Sequence, residues 1–297
     1  MRKVFLVDNG SLRPSSTLNL RRVAAALTTR TSVEVEPVSL LHSNKVPAAD
    51  LGGEAAKTFG PTATRWAKHG VDDIIILPFF FGPSRALTDY VPERVRTLQE
   101  NCPDVRVRVA RPLMDLHGTT DLRLAQILKD GVLAATGEDR PAVALVDHGS
   151  PIPEVTAVRN VLAGQLSVLL AGQVSRVTGA SMERREGDAY RFNEPLLERL
   201  LDRPGFRDQH VVVSMLFLSP GRHAGEDGDV ATICNDAQAR NPRLRTTMTR
   251  LAGEHDTIVD ILADRLHETV NDGPILLEQR PELTRAIAGE QRFPGVQ

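Results

Sequence analysis

VVVSMLFLSPGRHAGED, residues 211–227, restates IIILPFFFGPSRALTDY, residues 74–90, at a separation of 137 positions. Each begins as an unbroken apolar run, which suits a strand covered on both faces of a parallel sheet. Each then breaks into a turn of Gly, Pro, Ser and Arg. Two further blocks keep nearly the same spacing. VFLVDNGSLRPS (4–15) has the shape of ALVDHGSPIPEV (144–155), so Asn9 matches His148 at a distance of 139. CPDVRVRVARPL (102–113) matches NPRLRTTMTRL (241–251), pairing Pro103 with Pro242 and Arg106 with Arg245. Three blocks in register over so long a period mark a duplicated domain rather than a solenoid.

Within each copy, strand and helix patterns alternate. Strands are expected near 3–8, 33–38, 73–81 and 105–110, and again near 142–147, 173–179, 210–218 and 244–249. Helices are expected near 15–29, 52–69, 91–101 and 120–135, then 154–171, 193–202, 226–240 and 256–270. Such alternation implies right-handed βαβ crossovers, hence an α/β fold with one parallel sheet per copy. The join is expected in the polar stretch ATGEDRPA (135–142). That divides the chain into repeats 1–138 and 139–272, with a polar tail at 273–297 read as a loose arm or short helix.

Bulk properties narrow the function. The chain has 297 residues, 41% of them hydrophobic, enough for two packed cores. Its formal charge of -2 gives no polyanion-binding surface, so nucleic acid is not an expected partner. No apolar run is long enough to span a membrane, and VFLV is too short for a secretory core. Only Cys102 and Cys234 occur, with no metal-ligand spacing and no disulfide framework. A cytoplasmic location is expected.

Ligands of open parallel sheets bind beyond the carboxyl ends of strands. DHGS (147–150) sits there after the first strand of the second copy, and SPGRH (219–223) after the third. One histidine after a strand is most often a hydrogen-bonded structural residue. Here two occupy equivalent strand ends, and both are confined to one copy. The first copy retains Gly10, Ser11, Pro83 and Arg85, but has Asn9 for His148 and Ala86 for His223. Two neutral imidazoles can bind a borderline divalent metal or accept protons near neutral pH. Glu183, in the loop after the second strand, is the carboxylate expected to complete the group. Its first-copy counterpart is placed near His42. Glu226, Asp227 and Asp229 are expected either to guide a cation or simply to favour a helix start. Arg184, Arg185, Arg222 and Arg85 suit a substrate carrying carboxylates. Gly149 and Ser150, ahead of a helix, could hold an anion. Neither GxGxxG nor GxxxxGK[ST] is present, so no nucleotide fingerprint exists.

HGS after the first strand and FLSPGRHAGED after the third resemble the class II tetrapyrrole chelatases. More narrowly, the chain is similar to the sirohydrochlorin cobaltochelatase and ferrochelatase group in its long, two-domain form. The resemblance covers residues 1 to about 270. It implies two four-stranded parallel α/β domains, flavodoxin-like, facing each other across a cleft that holds a tetrapyrrole. It implies ATP-independent insertion of Co²⁺ or Fe²⁺, with Ni²⁺ as an alternative, the metal being substrate and no permanent cofactor being required. His148 and His223 match the family's histidines and Glu183 its acidic residue, as catalytic and metal-handling groups. Gly149, Ser150, Arg222, Arg184 and Arg85 are the expected substrate contacts. Asp147 stands where the family more often has Gly. It is expected to shift metal preference or hydrogen-bond the imidazole. A monomer suffices, and a homodimer is compatible. Two other functions remain open: a non-catalytic binding protein for a tetrapyrrole or metal, and a hydrolase or transferase that uses HGS to hold an anion.

Overall fold

A computed structural model describes the chain except residues 115, 117–120, 138–139, 226 and 272–297. The expected C-terminal tail and Glu226 therefore lie outside the described residues. Eight strands form: β1 (Arg2–Asp8), β2 (Val35–Ser39), β3 (Asp73–Pro78), β4 (Arg106–Val109), β5 (Ala142–Asp147), β6 (Arg176–Ser181), β7 (His210–Met215) and β8 (Arg245–Met248). They make two four-stranded sheets of orders β2-β1-β3-β4 and β6-β5-β7-β8. Every pairing is parallel. The duplication read in the sequence is thus a duplication of topology.

The apolar runs explain the central strands. Phe5, Leu6 and Val7 of β1 and Ile74 to Leu77 of β3 are fully buried, as are Val143 to Val146 of β5 and Val211 to Val213 of β7. Each such side chain removed from water contributes about 1.5–3 kcal/mol. In both sheets the chain order reverses direction beside the first strand, which opens a crevice at the carboxyl end between the first and third strands.

The helices are α1 (Pro14–Thr31), α2 (Phe59–Lys68), α3 (Val91–Asn101), α4 (Arg123–Ala135), α5 (Pro153–Leu169), α6 (Leu197–Leu201), α7 (Asp229–Arg240) and α8 (Thr257–Asn271). The helix after each first strand opens on proline, Pro14 in α1 and Pro153 in α5. Proline's fixed φ and missing N–H suit that first position. No helix among the described residues is long and apolar enough to cross a membrane.

The compact units differ from the sequence repeats by one exchanged helix. Among the described residues, one unit holds 1–113 with 259–271, and the other holds those between 114 and 258. The boundary expected at 138/139 follows the repeat, but α4 packs on α5 and β7 of the second sheet. Helix α8 belongs to the first unit instead. There Arg265 donates to the carbonyls of Pro112 and Leu113 at 3.1 and 3.2 Å. Arg108, on β4, returns a bond to the Thr269 carbonyl at 2.8 Å and pairs with Asp73 at 2.6 Å.

Candidate active site

The second unit carries the candidate residues. Its β5 ends at Asp147, and the chain turns at once through His148, Gly149 and Ser150 into α5. Gly149 has φ +94°, and a Cβ there would lie 1.9 Å from the Glu183 carbonyl oxygen. Only glycine lets the turn press this closely on the segment after β6. The Glu183 amide donates to the His148 carbonyl at 3.1 Å and fixes the two segments side by side. The first unit builds the same turn with Gly10, φ +88°, against the Leu41 carbonyl, and the Leu41 amide donates to Asn9. The counterpart of Glu183 is therefore Leu41, not His42 as the gapped sequence suggested. The first copy lacks the carboxylate as well as both imidazoles.

His223 arrives from the loop after β7. In the first unit the matching stretch, Ala86–Tyr90, winds into a π turn continuous with α3. In the second, α7 opens only at Asp229, behind Gly228. A Cβ on Gly228 would sit 2.7 Å from the His223 carbonyl, so the loop folds down where only glycine fits.

The two imidazoles meet edge to face, with ring centroids 4.5 Å apart at 68°. Each has its Nδ1 engaged. His223 Nδ1 lies 2.6 Å from Asp229 Oδ2, and His148 Nδ1 lies 3.0 Å from the Gly149 carbonyl. Neutral rings that donate through Nδ1 present the bare lone pair of Nε2. His148 Nε2 then faces Glu183 Oε1 at 3.4 Å, acceptor against acceptor, and a proton or cation between them is stabilised by both. Both side chains are partly open to solvent. Among the described residues, no group of three or more His, Cys, Asp or Glu is drawn together tightly enough to hold a metal ion. The group is a convergent set of donors rather than a closed cage.

The remaining expected residues fall into place unevenly. Asp229 serves both as the first residue of α7 and as the partner of His223. Arg222 is highly exposed and only loosely paired with Asp229, at 3.7 Å. Asp227 is exposed. Arg184 is engaged by Glu194 at 2.8 Å and by the carbonyls of Arg185 and Gly187. Arg185 lies over the Tyr190 ring. Arg85 belongs to the other unit, where it pairs with Asp89 at 3.3 Å. The anion site expected at Gly149–Ser150 lacks its Ser150 donor. That amide is already given to Asn193 Oδ1 at 2.9 Å, and the Ser150 hydroxyl accepts from Ile152.

Asp147 does not bond the imidazole beside it. It is buried, accepts the Ser181 hydroxyl at 2.6 Å and faces Arg159 Nη1 at 3.6 Å. Burial raises its pKa, and Arg159 and Ser181 oppose that rise. Sequence reasoning missed Arg159 and Asn193. The signal was available: Arg159 occupies a core-facing helix position where the first copy has Leu20. A cavity of about 540 Å³ opens elsewhere in the same unit, between α4 and the segment 247–255, and neither imidazole lines it.

Known proteins fit this architecture. No curated protein sequence matches. The structure of SirB from Bacillus subtilis with Fe³⁺ aligns with a TM-score of 0.68 at 15% identity, over 91% of this chain and 96% of that one. The sirohydrochlorin chelatase SirB from Bacillus subtilis subspecies spizizenii, in complex with cobalt, gives 0.66 at 15% identity over the same shares. CbiX, described as the terminal enzyme for biosynthesis of siroheme in denitrifying bacteria, gives 0.56 at 14%, over 90% and 99%. At such identities the likeness establishes the fold. The CbiX family profile matches twice, over residues 3–130 and 142–269, nearly the whole described chain. Two copies of one profile, on two copies of one sheet, make this chain a member of the CbiX family in its duplicated form.

Proposed function

We propose that the chain is a chelatase that inserts a divalent metal, Co²⁺ or Fe²⁺, into sirohydrochlorin or a closely related tetrapyrrole without ATP. The observation that carries this is the pair of facing imidazoles, each with Nδ1 engaged, with His148 Nε2 turned to Glu183 at 3.4 Å. A free-base macrocycle loses two pyrrole N–H protons as the metal enters. His148 Nε2 accepts one as a general base, Glu183 steadies the imidazolium that results, and the other proton passes to solvent water, to which the site is partly open. His223, held by Asp229, offers the second nitrogen to the incoming ion. Imidazole and carboxylate suit Co²⁺, Fe²⁺ and Ni²⁺ alike, and a loose donor set favours release to the ring over retention. Arg222, largely free, suits a carboxylate on the substrate rim.

Metal insertion changes the visible spectrum of the macrocycle, so purified protein, sirohydrochlorin and each metal in turn test the proposal directly. His148→Ala and His223→Ala are each expected to lower turnover by about 10²-fold or more while the protein stays folded. Binding without spectral conversion would instead establish a carrier. Full turnover in either variant would remove that histidine from the mechanism.

A further inference from the structure

We propose that Arg159 and Asn193 are positioning residues that hold His148 and Glu183 in their working arrangement. Arg159 is 1% exposed. Its Nη1 donates to Ser181 Oγ at 2.6 Å and to the Asn193 carbonyl at 2.9 Å, and faces Asp147. Its Nε and Nη2 are both spent on Asn160 Oδ1. The Asn193 amide clasps both backbone polar groups of Ser150 at 2.9 Å and takes the Thr156 hydroxyl at 3.1 Å. These partners bracket the site in sequence. Asp147 precedes His148, Ser150 follows it by two residues, and Ser181 precedes Glu183 by two. One guanidinium and one carboxamide therefore tie the turn that presents the imidazole to the strand end that presents the carboxylate.

The first unit shows that the fold does not need this network. Matching the core positions of α1 and α5 sets Leu20 against Arg159 and Thr17 against Thr156. The strand pairings set Pro37 against Gly179, and the twin bridges of Ser39 and Ser181 set Ala55 against Asn193. With Leu20 and Ala55 in place, the groove that Arg159 fills in the second unit stays open. There it is a cavity of about 200 Å³ lined by Thr17, Leu20, Pro37, Ser39 and others. Thr17 Oγ1, without an Asn193 to receive it, lies buried with no partner among the described residues. The strand order and glycine turn are nonetheless the same. Gly179 leaves the room: a Cβ there would stand 3.1 Å from Arg159 Nε. A buried ion pair seldom improves on apolar packing of the same volume. Its confinement to the unit with the histidines points to the site as the reason for it. The network touches the His148 and Glu183 segments but not His223, whose ring is set by Asp229.

This proposal rests on the metal-insertion reading, and its test separates the two. Asn193→Ala, and the double variant Arg159→Leu with Asp147→Asn, give the second unit residues that leave no buried charge unpaired. Each is expected to lower kcat for cobalt insertion by about tenfold or more, with KM for the tetrapyrrole within twofold and the melting temperature within a few degrees. Arg159→Lys, which retains the charge, is expected to recover part of the loss relative to the double variant. Proton–nitrogen spectra of the imidazoles should show His148 shifted and His223 unmoved. An unchanged kcat, or a loss that only follows the folded fraction, overturns the proposal. If the wild-type protein inserts no metal, the function fails first and the imidazole spectra decide alone. His148 shifted with His223 fixed sustains the positioning role, and His148 unmoved ends it.

Discussion

Replacing Asp8 by Asn should stabilise the first unit at neutral pH. Asp8 ends β1 as Asp147 ends β5, but the first unit has Leu20 where the second has a guanidinium. Burial without a cation pushes the Asp8 carboxyl up from 3.8 to about 6, against hydrogen bonds from Ser39 and the backbone of Gly10. Its Oδ1 has no hydrogen-bond partner among the described residues. Between about pH 4 and 6 the native state holds a proton that the unfolded chain has released, so stability falls as pH rises through that window. Above about pH 6 the loss is complete. A difference of roughly 2 pH units, at about 1.4 kcal/mol each, makes it about 3 kcal/mol. The neutral carboxamide has no charge to desolvate, so Asp8→Asn is expected to gain most of that at about pH 7 and little at about pH 4. Trp66, the single tryptophan, lies in α2 of the first unit with its Nε1 on Glu36, and its fluorescence follows urea unfolding of that unit. A variant less stable than wild type near neutral pH, or a gap between the two that does not narrow on acidification, would refute the reasoning.

Asp229→Asn should lower kcat/KM for the metal by about tenfold. The 2.6 Å bond to His223 is charge-assisted, but side-chain exposures of 31% and 44% hold its worth near about 1.4 kcal/mol, the low end for such bonds. Steady-state rates at varied Co²⁺ check this, and an unchanged value removes Asp229 from the site. Gly149→Ala should abolish turnover and lower the melting temperature, because the added methyl meets the Glu183 carbonyl in a left-handed conformation; a wild-type melting curve contradicts it. Native alkylation at about pH 8 should label Cys102 and spare Cys234. The latter is buried with its thiol pushed up to about 11, and mass spectrometry of the labelled peptides reads the difference.

The sheets were legible because two continuous apolar runs, each written twice, make four of the eight strands. The periphery was less so. β6 was expected at 173–179 and runs Arg176–Ser181, since RVTGAS is only partly buried and has no apolar run to mark it. The helix expected over 52–69 begins only at Phe59, after Gly52 and Gly53 turn the chain left-handed. That expected over 193–202 shrinks to Leu197–Leu201 behind Pro195. At the candidate site, the sequence singles out His148, His223 and Glu183, which the structure brings together, because imidazoles are rare and the two copies differ there. It does not single out their supports. Asp147 looked like an addition to the site until its partners Arg159 and Ser181 were placed, and these come from α5 and β6, 12 and 34 positions away.

The exchange of α4 and α8 has a bearing on how such a chain can be cut. A piece ending at the repeat boundary would retain α4, whose apolar face belongs on the other sheet, and would lose α8 along with the Arg265 anchors to Pro112 and Leu113. Each half thus depends on the other for the last stave of its wall. Expressed alone, either piece would leave an apolar flank of its sheet uncovered, so a workable cut has to keep α4 with the second sheet and α8 with the first.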